Sequence, residues 1–539
     1  MLLQGFCDDC LVSGCFSSYS TTYSFQTLSA PSPFPSPFPS SSSSFSSHIS
    51  LHGDRSLHPP FGSLLSLRRL CRLVRDPRPS LGSVPTPRPP PHLEAFLSYA
   101  LAMLGLRGIA SFMVVCGHLC TALVPWLHSP APDPKTAPHL FQLPYFRLAV
   151  GGRSAVAIFF LVTGYVNSIG PISKSRAGNH DAAFIGIARS SLARSGRLIL
   201  PTMVATIVTW FLANTNAYHM TKHVDSTWIR QGWHRQEPTV WQAVKSLIKV
   251  LLETWTIGWN EYDGTQWTLH LFLKGSMMVY TTMFATVLVR PKARLLIYAV
   301  LYLFFWQLGE GLAVGALMGL NIIVGMFVAE LHNHYKDTAT SVLPAPMPAL
   351  MILVGMFLAG YPQDSPQNAR WSHVMFKIMH ALTVEKTDVR RYWDHIGAST
   401  VLLGIFFSRN ARRVLTSPVF NFLGRVSFPV YLLHNTFIKS VLTWMIYLPS
   451  AMNPPKNEKG EPMDLQRGST THILIAIAIF YYILYRSAAL WVRHVDPVCA
   501  DMVNAATKWA YGEPQQRESR PILGNGSSII TTDKTVLPS

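Results

Sequence analysis

From about residue 100 onward, apolar stretches recur along this chain, each followed by a polar loop. This pattern constrains the fold more than any other feature. Backbone amides find no water in hydrocarbon, so only helices or closed barrels satisfy them there, and a helical crossing needs about 20 apolar residues. A barrel would show period-two alternation in short segments, which is absent here. The expected fold class is therefore all-α, a polytopic membrane protein with about ten transmembrane helices. Their approximate limits are 101–125, 149–170, 198–216, 267–289, 295–309, 311–330, 347–361, 396–408, 428–449 and 472–492. The fifth, seventh and eighth are short for a full crossing. The fifth and sixth, split at Gly309-Glu310-Gly311, also fit one broken pair with a tight outer turn.

Charge usage agrees. Only 13% of the 539 residues are charged and 49% are hydrophobic, with a mean hydropathy of +0.22; soluble domains carry about 25% charged residues. A net charge of +18 would suggest nucleic acid as partner of a soluble protein. Here the basic residues gather in particular loops, which points to membrane orientation and to a lipid bilayer, with no nucleic acid. Lys174, Arg176, Arg189, Arg194 and Arg197 follow the second stretch with only Asp181 against them. Arg290, Lys292 and Arg294 follow the fourth, and Arg409, Arg412, Arg413 and Arg425 the eighth, with no acid. Loops 217–265, 362–394 and 450–471 mix acids and bases; the loop after the sixth stretch is nearly neutral. The positive-inside rule then places both termini in the cytosol.

Three regions follow. Residues 1–95 hold a Pro/Phe/Ser run from Ser29 to Ser47 and a second proline-rich run from Pro85 to Pro91. Such segments bury too little apolar surface to offset their ordering entropy, so a disordered low-complexity extension is expected. Its start lacks the basic and apolar regions of a signal peptide. Arg68, Arg69, Arg72, Arg75 and Arg78 fit a solvated tail or a segment lying on anionic lipid. Residues 96–495 form the membrane domain and 496–539 a cytosolic tail, which carries the sequon Asn525-Gly526-Ser527. Cys7-x-x-Cys10 has no second pair at a metal-binding spacing, so no metal site is expected. Cys116 and Cys120, one turn apart, read as small packing residues.

Ionisable groups inside such stretches are costly and mark function. In the first, Arg107 and His118 are 11 residues apart, about three helical turns, so they share one face about 16 Å apart along the axis. Two polar groups on one face define a lining; otherwise Arg107 snorkels to headgroups and His118 bonds a neighbouring helix. Arg194 and Arg197, at i and i+3 before Pro201, present adjacent guanidinium forks that suit phosphates, or serve only as positive-inside anchors. His270 and Lys274 are one turn apart behind Trp267, and Tyr431 and His434 share a face; taken singly, these fit ordinary interhelical hydrogen bonds.

The ordered set of segments from about residue 100 to 495 resembles the acyltransferase-3 family of integral membrane acyltransferases, in a form like those of filamentous fungi. The resemblance rests on the opening Leu106-Arg107-Gly108-Ile109-Ala110 with its Arg107/His118 spacing, on Phe159-Phe160-Leu161-Val162-Thr163-Gly164-Tyr165, and on Arg194/Arg197 leading to Pro201. It continues through Trp267-Thr268-Leu269 with Lys274-Gly275-Ser276, Gly325-Met326-Phe327-Val328-Ala329-Glu330, and Ser427-Phe428-Pro429-Val430-Tyr431-Leu432-Leu433-His434. It implies about ten helices and transfer of an acyl group, often acetyl, from a coenzyme A thioester to a hydroxyl of a glycan, lipid or secondary metabolite. Acyl-CoA is then a co-substrate and no cofactor is permanently bound. By position, His118 is the implied catalytic histidine, Arg107 its partner, and Arg194 with Arg197 the arginine motif that meets coenzyme A. Phe272 stands where many members have a glutamate, so that carboxylate is missing or replaced by His270, Glu310 or another residue.

With that resemblance, His118 takes the proton of an acceptor hydroxyl or first accepts the acyl group itself. Tyr165 and Tyr431 are candidate oxyanion donors, and Trp267, His270 and His434 candidate substrate contacts. A secondary transporter or flippase would line a solute path with the same buried charges, but the Arg/His face is not repeated later in the chain. An inactive family member that only binds a partner is the third reading, kept open by Phe272.

Overall fold

The computed structural model describes residues 91–308, 316–384 and 388–512. The expected disordered extension, residues 1–95, lies outside the described residues as far as residue 90, whereas 91–95 are helical; the Gly309-Glu310-Gly311 break and the Asn525 sequon also lie outside the described residues. Among the described residues the regular structure is helical, with isolated bridges such as Val224 to Leu465 and no named strand. The principal helices are α1 Pro91–Leu123, α2 Gly152–Arg176, α3 His180–Asn214, α4 Val240–Thr256, α5 Leu269–Thr286, α6 Pro291–Gln307, α7 Asn321–Tyr335, α8 Pro346–Ala359, α9 Arg370–Leu382, α10 Val389–Phe407, α11 Pro418–Phe437 and α12 Thr470–Ala510.

Each of the ten expected stretches is helical over most of its length. By length and hydropathy, however, only α1 from Leu97, α2, α3 and α12 qualify as membrane spans among the described residues. The pair Leu317–Ser341 and Pro346–Ala359, bent by 118°, would add a fifth. The others are too short, as the limits of the fifth and seventh stretches foreshadowed, or, like α5, α10 and α11, too polar. Several helices run past their expected bounds, α3 and α12 furthest. α3 starts at His180, so Arg189, Arg194 and Arg197 lie within it, and α12 continues through Pro497 to Ala510, beyond the expected boundary at 495.

Local chemistry sets the helix ends. Asn179 caps α3 by accepting from the Ala182 amide at 3.1 Å, and Ser469 caps α12 through the His472 amide at 3.3 Å. Pro291, Pro346 and Pro418 stand in the first turns of α6, α8 and α11, where no backbone donor is needed. Loops 217–265 and 362–394 contain two amphipathic helices, α4 and α9. α4 leaves Trp241, Ile248 and Leu252 exposed, and α9 leaves Val374 and Ile378 exposed, an apolar face of the kind that lies in a membrane interface.

Packing follows the small residues. A Cβ on Gly325 would lie 2.1 Å from the Leu161 carbonyl, and one on Gly164 2.3 Å from that of Ile322, so α2 and α7 touch backbone to backbone. A Cβ on Gly108 would meet the Gly424 amide at 2.5 Å, giving α1 and α11 the same close seam. Such seams replace the hydrophobic drive that lipid removes. α2 is interior, with 67% of its apolar window buried, whereas α12, at 22%, lies at the rim. Exposed apolar side chains on α6, α8 and α12 (Leu296, Leu303, Leu350, Leu353, Leu474, Ile475) suit contact with acyl chains.

Candidate functional site

α1 carries two polar positions, and each meets a different group of residues. At Arg107 the charged neighbours are Arg194 of α3 and Asp496 of α12. Arg194 in turn lies beside Arg197 and Tyr280 of α5. The Tyr280 hydroxyl donates to Asn167 Oδ1 at 3.3 Å, and Asn167 Nδ2 donates to Ser276 Oγ at 3.2 Å. Arg197 is exposed, while Arg194 is half-buried with its Nε enclosed and unpartnered. Asp496 Oδ1 is likewise enclosed without a hydrogen bond. Three guanidinium groups with a single nearby carboxylate form an unbalanced cationic cluster, and unused donors in fork geometry suit a polyanion.

At the other polar position, the half-buried His118 ring lies between Trp228 (centroids 5.4 Å apart, 25° between planes) and His434 (5.2 Å, 30°). Trp228 comes from a short helix, Thr227–Gln231, that neighbouring loops hold against the end of α1. Ser226 Oγ donates to the Ala122 carbonyl at 2.6 Å. Asp225 accepts from Tyr447 at 2.5 Å and from Arg467 Nε at 2.7 Å, and Arg467 also donates to the Leu123 carbonyl.

His434 is wholly buried on α11, where Pro429 interrupts the ladder and a π-helical turn, Ile438–Leu442, follows. Its Nδ1 lies 2.7 Å from the Tyr431 carbonyl; a carbonyl only accepts, so Nδ1 carries the proton. Its Nε2 is enclosed without a partner. Behind it Asp263, fully buried, accepts from Asn435 Nδ2 at 2.6 Å and from the Thr265 hydroxyl and amide at 2.7 and 3.1 Å. Buried Lys439 donates to the Tyr262 carbonyl at 3.1 Å, and the Asp263 charge acts on both Lys439 and His434.

The nine candidate residues thus divide. Arg107, Arg194 and Arg197 come together at one level, and His118, His434 and Tyr431 at the other. Tyr165, Trp267 and His270 have no hydrogen bond or ring contact with His118. Tyr165 pairs with His332 at 2.5 Å, in a cluster where Arg412 lies 3.8 Å over the Tyr99 ring. His270 is half-buried against Gly258, and Trp267 is exposed. The Tyr431 hydroxyl donates to the Thr265 carbonyl at 2.6 Å, so Thr268, 2.5 Å away, must donate to it. Its single proton is committed, and serving an oxyanion would require breaking that bond. Phe272 stacks on Phe160 with centroids 4.4 Å apart, filling its position with apolar packing.

Sequence reasoning missed Asp263 and Trp228. Both lie in loop 217–265, which was read only for its mix of acids and bases; the available signal was an acid just ahead of Gly264 and the Trp267-Thr268 segment.

Two curated proteins are similar over parts of the chain. Acyltransferase R4 of Phoma sp. is 26% identical over 38% of this chain and 45% of its own length. Acyltransferase clz18 of Cochliobolus lunatus is 24% identical over 48% of this chain and 60% of its own length. The chain therefore spans about half the length of these relatives. No solved structure matches it. The acyltransferase-3 family model, described as an acyltransferase domain, matches residues 102–492, most of the described helical bundle, and the chain belongs to that family.

Proposed function

We propose that the protein is a membrane-embedded O-acyltransferase moving an acyl group, acetyl in the simplest case, from acyl-CoA to a hydroxyl of a small molecule, lipid or glycan. The observation that supports it best is the single face of α1 joining an unbalanced arginine cluster to an imidazole between Trp228 and His434. Family membership and the names of the two relatives agree with it.

The coenzyme A phosphates rest on Arg194 and Arg197, and the thioester lies near His118, about 16 Å along the helix from Arg107. As the acceptor oxygen attacks the thioester carbon, neutral His118 takes the hydroxyl proton. The tetrahedral intermediate collapses with cleavage of the C–S bond, and the leaving thiolate recovers the proton from the imidazolium. The same residues also serve a route in which His118 first carries the acyl group. This reading counts all ten helical stretches as crossings and puts the arginine end and both termini in the cytosol, which cysteine labelling from each side tests.

The test of function is coenzyme A release from acetyl-CoA by purified protein, with a cell extract as acceptor. His118→Ala is expected to cut release by about 10²-fold or more. Undiminished release overturns the proposal.

A further inference from the structure

The Nε2 atom of His434 is the feature that this mechanism leaves unused. It belongs to a side chain with no exposed surface, it has no hydrogen-bond partner, and the nearest ring on one side is His118. An enclosed polar atom without a partner costs about 1–3 kcal/mol, so its persistence calls for an explanation.

The tautomer is settled by the backbone. Nδ1 faces the Tyr431 carbonyl at 2.7 Å and must donate, so in neutral His434 the lone pair is on Nε2. The ring is also held against turning. Tyr431, one turn earlier, is anchored to the Thr265 carbonyl and Thr268, and Asn435, the next residue, is anchored to Asp263. The ring centroids of His118 and His434 are 5.2 Å apart, with 30° between their planes. An edge-to-edge N–H···N bond needs an N···N distance of about 3 Å plus one ring radius on each side, which is about this spacing. The centroid separation therefore leaves room for such a bond between the two rings.

We propose that His434 is a positioning residue for His118: its fixed Nε2 lone pair receives a ring N–H of His118 and leaves the other His118 nitrogen unprotonated toward the acceptor hydroxyl. The inference rests on the acyltransferase reading above. His434 is too enclosed to touch substrate, so it acts through His118. It selects the reactive tautomer, and when His118 takes the hydroxyl proton it accepts the hydrogen bond of the imidazolium. Asp263 does not reach His118; its charge acts on His434 and its carboxylate holds Asn435. The arrangement is a histidine oriented by a second polar group that is itself held by the fold.

Two substitutions separate this role from a purely structural one. His434→Gln places an amide oxygen near the Nε2 position and loses the Nδ1 donor. His434→Asn retains a donor near the Nδ1 position and loses the Nε2 acceptor. Both are compared with wild type and His118→Ala as purified full-length protein in lipid nanodiscs, using labelled acetyl-CoA and the cell extract. A monodisperse size-exclusion peak serves as the check on folding. His434→Asn is expected to lose about 10²-fold in kcat with the KM for acetyl-CoA within about twofold of wild type, and His434→Gln to stay within about tenfold of wild-type kcat. Asn matching or exceeding Gln, or losses confined to KM, overturns the proposal, because then the Tyr431 contact or general packing is what matters. If His118→Ala keeps full transfer, the acyltransferase reading fails first, and that outcome is distinct from any ordering of the two His434 variants.

Discussion

Glu330 of α7 offers a sharp test of how this bundle tolerates charge. Its side chain is 1% exposed and joins two arginines from other helices. Arg176 of α2 donates to Oε2 through Nε at 3.0 Å and Nη2 at 2.7 Å. Arg294 of α6, also 1% exposed, has its Nε 2.5 Å from Oε1. Arg294 further donates to the Thr286 carbonyl at 3.1 Å and to Ser175 Oγ at 3.3 Å. Removing the carboxylate spares Arg176, which is 22% exposed and can reach toward water. Arg294 has no such escape. Its two remaining hydrogen bonds satisfy part of the fork and none of the charge.

Breaking a buried pair by removing one partner costs about 3–5 kcal/mol, whereas replacing both partners with apolar residues of similar volume is often close to neutral. Glu330→Leu should therefore destabilise by about 3–5 kcal/mol, and Glu330→Gln, whose amide oxygen can still accept, should fall toward the lower end. Adding Arg294→Met to Glu330→Leu should recover about 2 kcal/mol or more. Unfolding in mixed micelles, titrated with a denaturing detergent and followed by tryptophan fluorescence, measures each difference. A cost below about 1 kcal/mol for Glu330→Leu, or a double variant as unstable as the sum of the two single variants, would refute the argument.

Further expectations concern separate parts of the molecule. Gly325→Leu forces a side chain into the Leu161 carbonyl at the α2–α7 seam and should cost about 3 kcal/mol or more, read as a lower midpoint in the same titration; an unchanged midpoint removes the backbone-contact argument. Arg194→Ala and Arg197→Ala should raise the KM for acetyl-CoA by about tenfold with a smaller change in kcat, and the Arg197 effect should shrink in high salt because Arg197 is exposed; equal loss in kcat alone contradicts phosphate contact. Burial would raise the Asp388 pKa, but the hydrogen bond from Arg390 and the charges of Arg390, Arg153 and Arg391 outweigh it and hold the carboxyl below its ordinary range. A depressed carboxyl stabilises above its unfolded pKa, about 3.9, and that stability is lost as pH falls through the folded value. Acid unfolding of wild type should thus be steeper below about pH 4 than that of Asp388→Asn, and identical profiles would exclude this linkage.

Hydropathy located the ten helical stretches because a helix that buries an apolar surface must supply that surface from consecutive residues. The Arg107/His118 face was equally legible, since 3.6-residue periodicity is local. Tertiary neighbours are not local. Tyr165 lies 167 residues from His332, and nothing near either residue announces the pairing that takes the tyrosine hydroxyl away from His118. The loops were legible in charge but not in structure. Mixed acids and bases over 217–265 carried no sign that Asp263 turns inward to hold Asn435 or that Trp228 reaches His118. Amphipathic α4 and α9 were hidden because their apolar faces are too sparse for a span and suit an interface instead.

Buried polar groups in this bundle are held in two ways. Arg147, 3% exposed, donates to the carbonyls of Leu127, His128, Ser129 and Gly360, so each of its three guanidinium nitrogens has a backbone partner. It binds the loop after α1 to the end of α8 and is complete as it stands. His434 is held as firmly on one side, through Nδ1, and left open on the other, beside a half-buried imidazole. Arg194 follows the same pattern, with an enclosed Nε that no protein atom satisfies. Selection for stability alone favours filling such positions, because each costs free energy and a methylene or a carbonyl partner would remove the penalty. The open atoms at Arg194 and His434 lie at the two levels joined by the polar face of α1. In the acyl transfer proposed above, the guanidinium cluster would meet the phosphates of the acyl donor, while the His434 lone pair would receive the His118 N–H.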